Sequence, residues 1–234
     1  MNTIIAAPTR PTLYLVFDVE TNGLLPKGNV PLDQYPHVLQ LSFALYNMNL
    51  NKVVSQYDSY IKVDSSVLIS EFISNLTGIT HELCQEKGRP MLEALRQFHA
   101  AYLLCDVLIA HNLEFDKKMI MVEMERNRGL LTKKAPECFV LFNAMYESVH
   151  GIDQYCTMQK SIALCNLPMP EKVLTPIVVT KVAKKPAKKY PKLIELFQTL
   201  FPSEPLPLDL HNSMTDVMVC LKCYLKMRHN IIYV

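Results

Sequence analysis

Leu13-Tyr14-Leu15-Val16-Phe17-Asp18-Val19-Glu20-Thr21-Asn22-Gly23-Leu24 decides the fold. An apolar run over residues 13–17 gives way to polar Asp18, Glu20 and Thr21, then to the turn pair Asn22-Gly23. This pattern predicts a short buried strand entering a turn. Residues two apart on a strand point to the same face, so both carboxylates project together at its end. Adjacent like charges raise each other's proton affinity, and a divalent cation between them keeps the pair ionised. Hard oxygen ligands of this kind suit magnesium or manganese. Taken alone, the pattern also describes a strand that simply ends in a polar turn.

Two further β-rich runs follow, at residues 38–46 and 53–63, close enough in sequence to pair as sequential antiparallel neighbours. After Ser65 the period changes. Leu92, Leu95, Phe98 and Tyr102 repeat at helical spacing between Pro90 and an apolar strand over 107–110. Phe115, Met119 and Val122 mark a helix ending near Gly129, and residues 161–167, 192–201 and 213–227 predict three more. Strands followed by mixed strands and helices predict one α/β domain with a mixed sheet over residues 13–229. An N-terminal extension (1–12) and a short tail (230–234) flank it, and an irregular basic insertion lies around 168–191. Residues 168–207 hold eight of the fifteen prolines, which predicts a long surface excursion.

Composition narrows the class. Of 234 residues, half are hydrophobic and a fifth charged, which excludes disorder for most of the chain. No apolar run approaches the roughly 20 residues of a membrane span, and the first dozen residues lack a basic start followed by an apolar block. The expectation is an intracellular protein, cytoplasmic or nuclear, with no membrane partner. Seven cysteines, an odd number, predict reduced thiols. Cys220 and Cys223 have the spacing of half a zinc site, but a second pair is missing and the two fit a packed helix face. A net charge of +2 neither demands nor excludes nucleic acid. The stretch 172–192, with seven lysines and no carboxylate, reads either as a solvated loop or as a basic arm that holds phosphates.

Two more polar clusters matter. In Ala110-His111-Asn112-Leu113-Glu114-Phe115-Asp116 an apolar strand runs into a helix, with Asp116 in the first turn, where a carboxylate suits the helix dipole. In His211-Asn212-Ser213-Met214-Thr215-Asp216, Asn212 or Ser213 is a good N-cap. His211 then lies on the loop before the helix, from which its ring can swing toward a site faced by Asp216. Each cluster also has an ordinary structural reading. Met119, Met121 and Met124 read as core and helix filler, and His37, His99, His150 and His229 as structural.

Together, Phe17-Asp18-Val19-Glu20-Thr21-Asn22-Gly23-Leu24, Ala110-His111-Asn112 with Phe115-Asp116, and His211 five residues before Asp216 resemble the DnaQ-like, or DEDDh, family of 3′–5′ exonucleases. Thr77-Gly78-Ile79-Thr80-His81-Glu82, Tyr155-Cys156-Thr157-Met158 and Lys192-Leu193-Ile194-Glu195-Leu196 look like further segments of that family, so the likeness spans residues 14–227. Asn212 stands where the tyrosine branch would carry its tyrosine, which favours the histidine branch. Residues 129–151 and 172–190 are longer or more irregular than a minimal member needs.

The resemblance implies a ribonuclease H-like mixed sheet, three antiparallel strands then parallel ones, flanked by helices. It implies a 3′–5′ exonuclease that releases 5′-mononucleotides from single-stranded nucleic acid, with DNA slightly favoured. Two Mg²⁺ or Mn²⁺ ions would be held by Asp18, Glu20, Asp116 and Asp216. Asp18 would bridge both ions, Glu20 and Asp216 would serve the ion at the attacking water, and Asp116 the other. His211 would be the general base. Thr21, Asn22, Gly23, Leu24 and Asn112 would meet the 3′ end, with Leu24 either wedging at the terminal base or packing as an ordinary turn residue. Lys184, Lys185, Lys188 and Lys189 would grip the strand. The implied partners are a strand with a free 3′ end and a polymerase or replication or repair complex, with oligomeric state left open. An RNA-trimming exoribonuclease and a catalytically silent nucleic-acid-binding module are the alternatives.

Overall fold

Alternation along the first strand sets the layers. β1 (Leu13–Thr21) sends Leu15, Phe17 and Val19 into one buried cluster and Tyr14 and Val16 into another on the opposite face. The computed structural model describes residues 12–169, 188–207 and 210–233. β2 (Val38–Asn47) and β3 (Lys52–Tyr60) pair antiparallel on one side of β1. β4 (Val107–Ala110) and β5 (Asp153–Cys156) add in parallel on the other, giving the order β3-β2-β1-β4-β5. This is the mixed sheet expected from the sequence. β2 is buried along its whole length, and its side chains contribute to both clusters, so the sheet is covered on both faces.

Three helices, α1 (Glu71–Thr77), α2 (His81–Lys87) and α3 (Met91–Tyr102), lead from β3 to β4. The Thr77-Gly78-Ile79-Thr80 run is a helix stop joined to a helix start. Gly78 ends α1 at φ +72°, a left-handed conformation natural to glycine, and the Thr80 hydroxyl caps α2 by accepting from the Leu83 N–H. Between them Ile79 is buried in a small third cluster with Leu39 and Cys84. α4 (Leu113–Arg126), α5 (Arg128–Lys134) and α6 (Ala144–His150) lie between β4 and β5, followed by α7 (Thr157–Lys160), α8 (Ile162–Cys165), α9 (Leu193–Leu200) and α10 (Ser213–His229). α3 packs Leu95, Phe98 and Tyr102 into the first cluster, while α9 and α10 build the second, Cys220 and Cys223 included.

The structure departs from the expected elements in several places. The helix expected over 161–167 is shortened to α8, and a separate turn, α7, precedes it across buried Ser161, whose hydroxyl donates to the Met158 carbonyl. The third strand ends at Tyr60. The Ile61 N–H still donates to the Leu39 carbonyl of β2 at 2.8 Å, and from Lys62, whose N–H donates to the Arg89 carbonyl at 2.9 Å, the chain turns to Arg89. Met119 and Met124 are core, but Met121 faces solvent. Tail residues Ile231 and Tyr233 pack on the second cluster, the Tyr233 ring edge-on to Tyr46 at 5.6 Å. Among the described residues, no helix is long and apolar enough to cross a membrane.

Candidate active site

β1 and β4 run parallel, with Val16 opposite Ile109, so their C-terminal ends lie at one edge, where parallel sheets usually take ligands. Asp18 and Glu20 have the parity of Tyr14 and Val16 and therefore point toward the α10 side of the sheet. The β1–β2 register slips between Glu20 and Thr21, a bulge of the kind that re-aims side chains beside functional sites.

A buried polar network fixes the start of α10 against these strands. The Ser213 hydroxyl donates to the Asp18 carbonyl at 2.8 Å, and the Ser213 N–H donates to Gln40 Oε1 at 3.3 Å. Gln40 in turn donates to Asp58 at 2.8 Å, alongside the Ser42 hydroxyl at 2.7 Å. Asn212 caps the helix, its Oδ1 accepting from the Met214 and Thr215 N–H groups. Asp216 follows in the first turn. His211 precedes the cap at φ +70°, a left-handed conformation that costs a non-glycine residue about 1 kcal/mol or more.

These constraints bring the predicted residues to one place. Single ligand atoms of Glu20, His211 and Asp216 lie within 4.8 Å of one another. Asp18 and Asp116 line the same cleft, which has a volume of about 660 Å³. Asp116 is buried in the first turn of α4, and its Oδ1 accepts the Val19 N–H at 3.2 Å, so the β4–α4 junction is tied directly to β1. Asp216 Oδ1 is also buried but has no hydrogen-bond partner among the described residues.

Electrostatics follow from this crowding. Burial, reinforced by the Asp216 charge, pushes Asp18 up to about 8. Burial and the charges of Asp18 and Asp216 push Glu20 up to about 9. Asp116 is raised well above the carboxylate range, by burial and then by Asp18. Asp216 is pushed to about 6 by burial, opposed by the His211 backbone N–H. His211 is lowered, by burial first and by the Lys192 charge second. Acceptor-only oxygens gathered so closely, one of them buried without a donor, have the chemistry of a hard divalent-cation cage.

The turn after β1 divides its residues. Thr21 donates to the Gly23 carbonyl, and the Asn22 side chain bridges the Leu68 carbonyl and the His37 N–H, so both side chains hold the turn itself. Leu24 is 85 % exposed at the cleft, which rules out the packing alternative for it. Asn112 lines the cleft, and its carbonyl accepts from the Phe115 and Asp116 N–H groups. Lys184 and Lys185 lie outside the described residues. Lys188 forms an isolated bridge with Pro168, and the Lys189 ammonium pairs with Glu195.

Sequence reasoning missed the opposite wall. Tyr190, Pro191, Lys192, Leu193 and Ile194 line the cleft. Half-buried His111 holds them there, one ring nitrogen 3.0 Å from the Pro191 carbonyl and the other 3.0 Å from the Thr157 hydroxyl. Burial pushes His111 down to about 4, so it is neutral in this tie. Gln40 was missed too, although a glutamine inside a mostly apolar β2 run was a legible anomaly.

The RNase_T exonuclease family model matches residues 15–165. The chain belongs to this exonuclease family. The matched span includes Asp18, Glu20 and Asp116 and ends before His211 and Asp216, which the fold brings to the same cleft. Curated relatives include the PolC-type DNA polymerase III of Streptococcus suis, 32% identical over 113 residues, or 48% of this chain and 7% of the polymerase. That of Streptococcus agalactiae is 30% identical over 142 residues, 59% of this chain and 9% of the polymerase. The chain thus spans less than a tenth of the length of these relatives. Among solved structures, E. coli exonuclease I in complex with a dT13 oligonucleotide matches with a TM-score of 0.61 at 16% identity, over 94% of this chain and 42% of that one. The zinc-ion-bound form of the exonuclease I–ssDNA complex matches at 0.59. These likenesses establish a shared ribonuclease H-like fold.

Proposed function

We propose that this protein is a metal-dependent 3′–5′ exonuclease that removes 5′-mononucleotides from single-stranded nucleic acid, DNA in preference to RNA. The observation that carries the reading is the gathering of four carboxylates and one histidine, from three separate chain segments, around a single cleft. Asp18, Glu20, Asp116 and Asp216 would hold two divalent cations, magnesium or manganese. Such cations, when bound, lower the pKa of a water and neutralise charge on the phosphate and leaving oxygen.

The chain's own residues supply the rest. His211 is held below its ordinary pKa by burial and Lys192, so near neutrality it is an unprotonated imidazole able to accept the attacking water's proton. Exposed Leu24 and the Gly23 backbone present a surface to the terminal nucleotide. Lysines of the 184–189 stretch would add electrostatic grip. Exonuclease I, which shares the fold, is described in complex with single-stranded DNA, and the PolC-type relatives are DNA polymerases by name. Both support a single-stranded substrate and a polymerase or repair partner.

Labelled DNA and RNA oligonucleotides of one sequence, assayed side by side with magnesium and with chelator, test the reading. The expected result is a ladder shortened from the 3′ end, faster on DNA and absent with chelator. No degradation of either strand by the metal-loaded protein would contradict it and favour a silent binding module.

A further inference from the structure

Among the described residues, Lys192 is the only lysine or arginine that lines the carboxylate cleft, and it sits two residues after Tyr190, which is 58 % exposed and lines the same cleft. Among the described residues the Lys192 ammonium forms no ion pair. The nearby acid, Glu195, is engaged by the Lys189 ammonium and by the Lys192 backbone N–H at 2.7 Å. A cation left unpaired beside so many carboxylates is available to an anion that enters from outside.

The segment is also well braced. Its Pro191 carbonyl is tied to His111, the Lys189 N–H bonds the Leu167 carbonyl, and α9 starts immediately after it with Leu193, Leu196 and Phe197 buried in the core. An exposed ring and an unpaired ammonium on one braced segment present the two groups a nucleotide needs, a stacking face for the base and a charge for the phosphate.

We propose that Tyr190 and Lys192 form a nucleotide clamp on the wall facing the carboxylates, Tyr190 stacking on a base and Lys192 pairing with a phosphate of the bound strand. The clamp rests on the exonuclease reading of the same cleft. It gives a role to the positive group that shares the cleft with the carboxylates.

Fluorescence anisotropy of labelled oligothymidylate in calcium, across a salt series, tests the clamp. Lys192→Met should weaken binding about tenfold and lower the salt slope by about one phosphate contact. Lys192→Arg should restore both. Tyr190→Ala should weaken binding about tenfold with the salt slope unchanged, and Tyr190→Phe should bind as the wild type does. On an oligonucleotide with abasic sites at its 3′ end, the Tyr190→Ala penalty should vanish. Wild-type binding accompanied by unaltered affinity and salt slope in Lys192→Met, or by an unaltered affinity in Tyr190→Ala, overturns the clamp and leaves the exonuclease reading standing. A wild-type chain that neither binds nor degrades the strand overturns both.

Discussion

Asp116 and Asp216 each lie in the first turn of a helix and face one cleft, but the protein holds them in opposite ways. Asp116 is a strut, with one carboxylate oxygen accepting the Val19 N–H and so joining α4 to β1. Asp216 instead keeps a buried oxygen without a donor, and its helix is positioned for it by Ser213 and Gln40. The contrast separates architecture from acceptor capacity. One carboxylate serves both, while the other is supported by its neighbours and left open to a ligand.

The sharpest way to break this comparison is to truncate each acid. Asp216→Ala should lower nuclease turnover on the order of 10³-fold or more with little loss of thermal stability, because relief of burial and of repulsion offsets the lost contact with the His211 N–H. Asp116→Ala should lower turnover as severely but also destabilise the fold by about 1–3 kcal/mol, because the Val19 N–H loses its acceptor. Equal destabilisation by the two variants in denaturant melts would dissolve the distinction. His211→Ala should cost about 10²-fold in turnover while cation binding survives, and preserved turnover would remove the histidine from the mechanism.

The raised carboxylates make a prediction of definite sign. In the folded chain Asp18 and Glu20 titrate near 8 and 9, against ordinary values of 3.8 and 4.5. Between those limits the folded protein retains protons that the unfolded chain has released, so stability falls as pH rises through the window. Without metal, the melting temperature should therefore be higher near pH 5 than near pH 8 as far as these groups control it, and added magnesium should recover more of it at the higher pH. A metal-induced shift independent of pH would contradict the crowding on which the comparison rests. The smallest expected effect is from Ser213→Ala, which removes one hydrogen bond to Asp18 and should cost about 1 kcal/mol, with turnover reduced through misplacement of Asp216.

The parts of this site that sequence made legible were the local ones. Period-two alternation put Asp18 and Glu20 on one face, and the capping preference of Asn212 placed His211 just ahead of α10. The β4-to-α4 junction was visible from an apolar run meeting an acidic first turn. What stayed hidden depends on contacts between distant residues. Nothing near His111 announces that its ring meets the carbonyl of Pro191, eighty positions away, nor could spacing show Ser213 reaching Asp18. The left-handed backbone at His211 is likewise not legible locally, since non-glycine residues, histidine included, adopt it only uncommonly. Ser161, where the predicted helix was to begin, instead stands between α7 and α8, buried and with its hydroxyl directed back to the Met158 carbonyl.

Titration of the substrate-free protein with manganese, read by electron paramagnetic resonance at near-neutral pH, tests the cation cage most directly. Wild-type chain should take up two ions, and Asp18→Ala should lose tight binding of both. Uptake that is absent in the wild type, or unchanged in Asp18→Ala, would contradict the account.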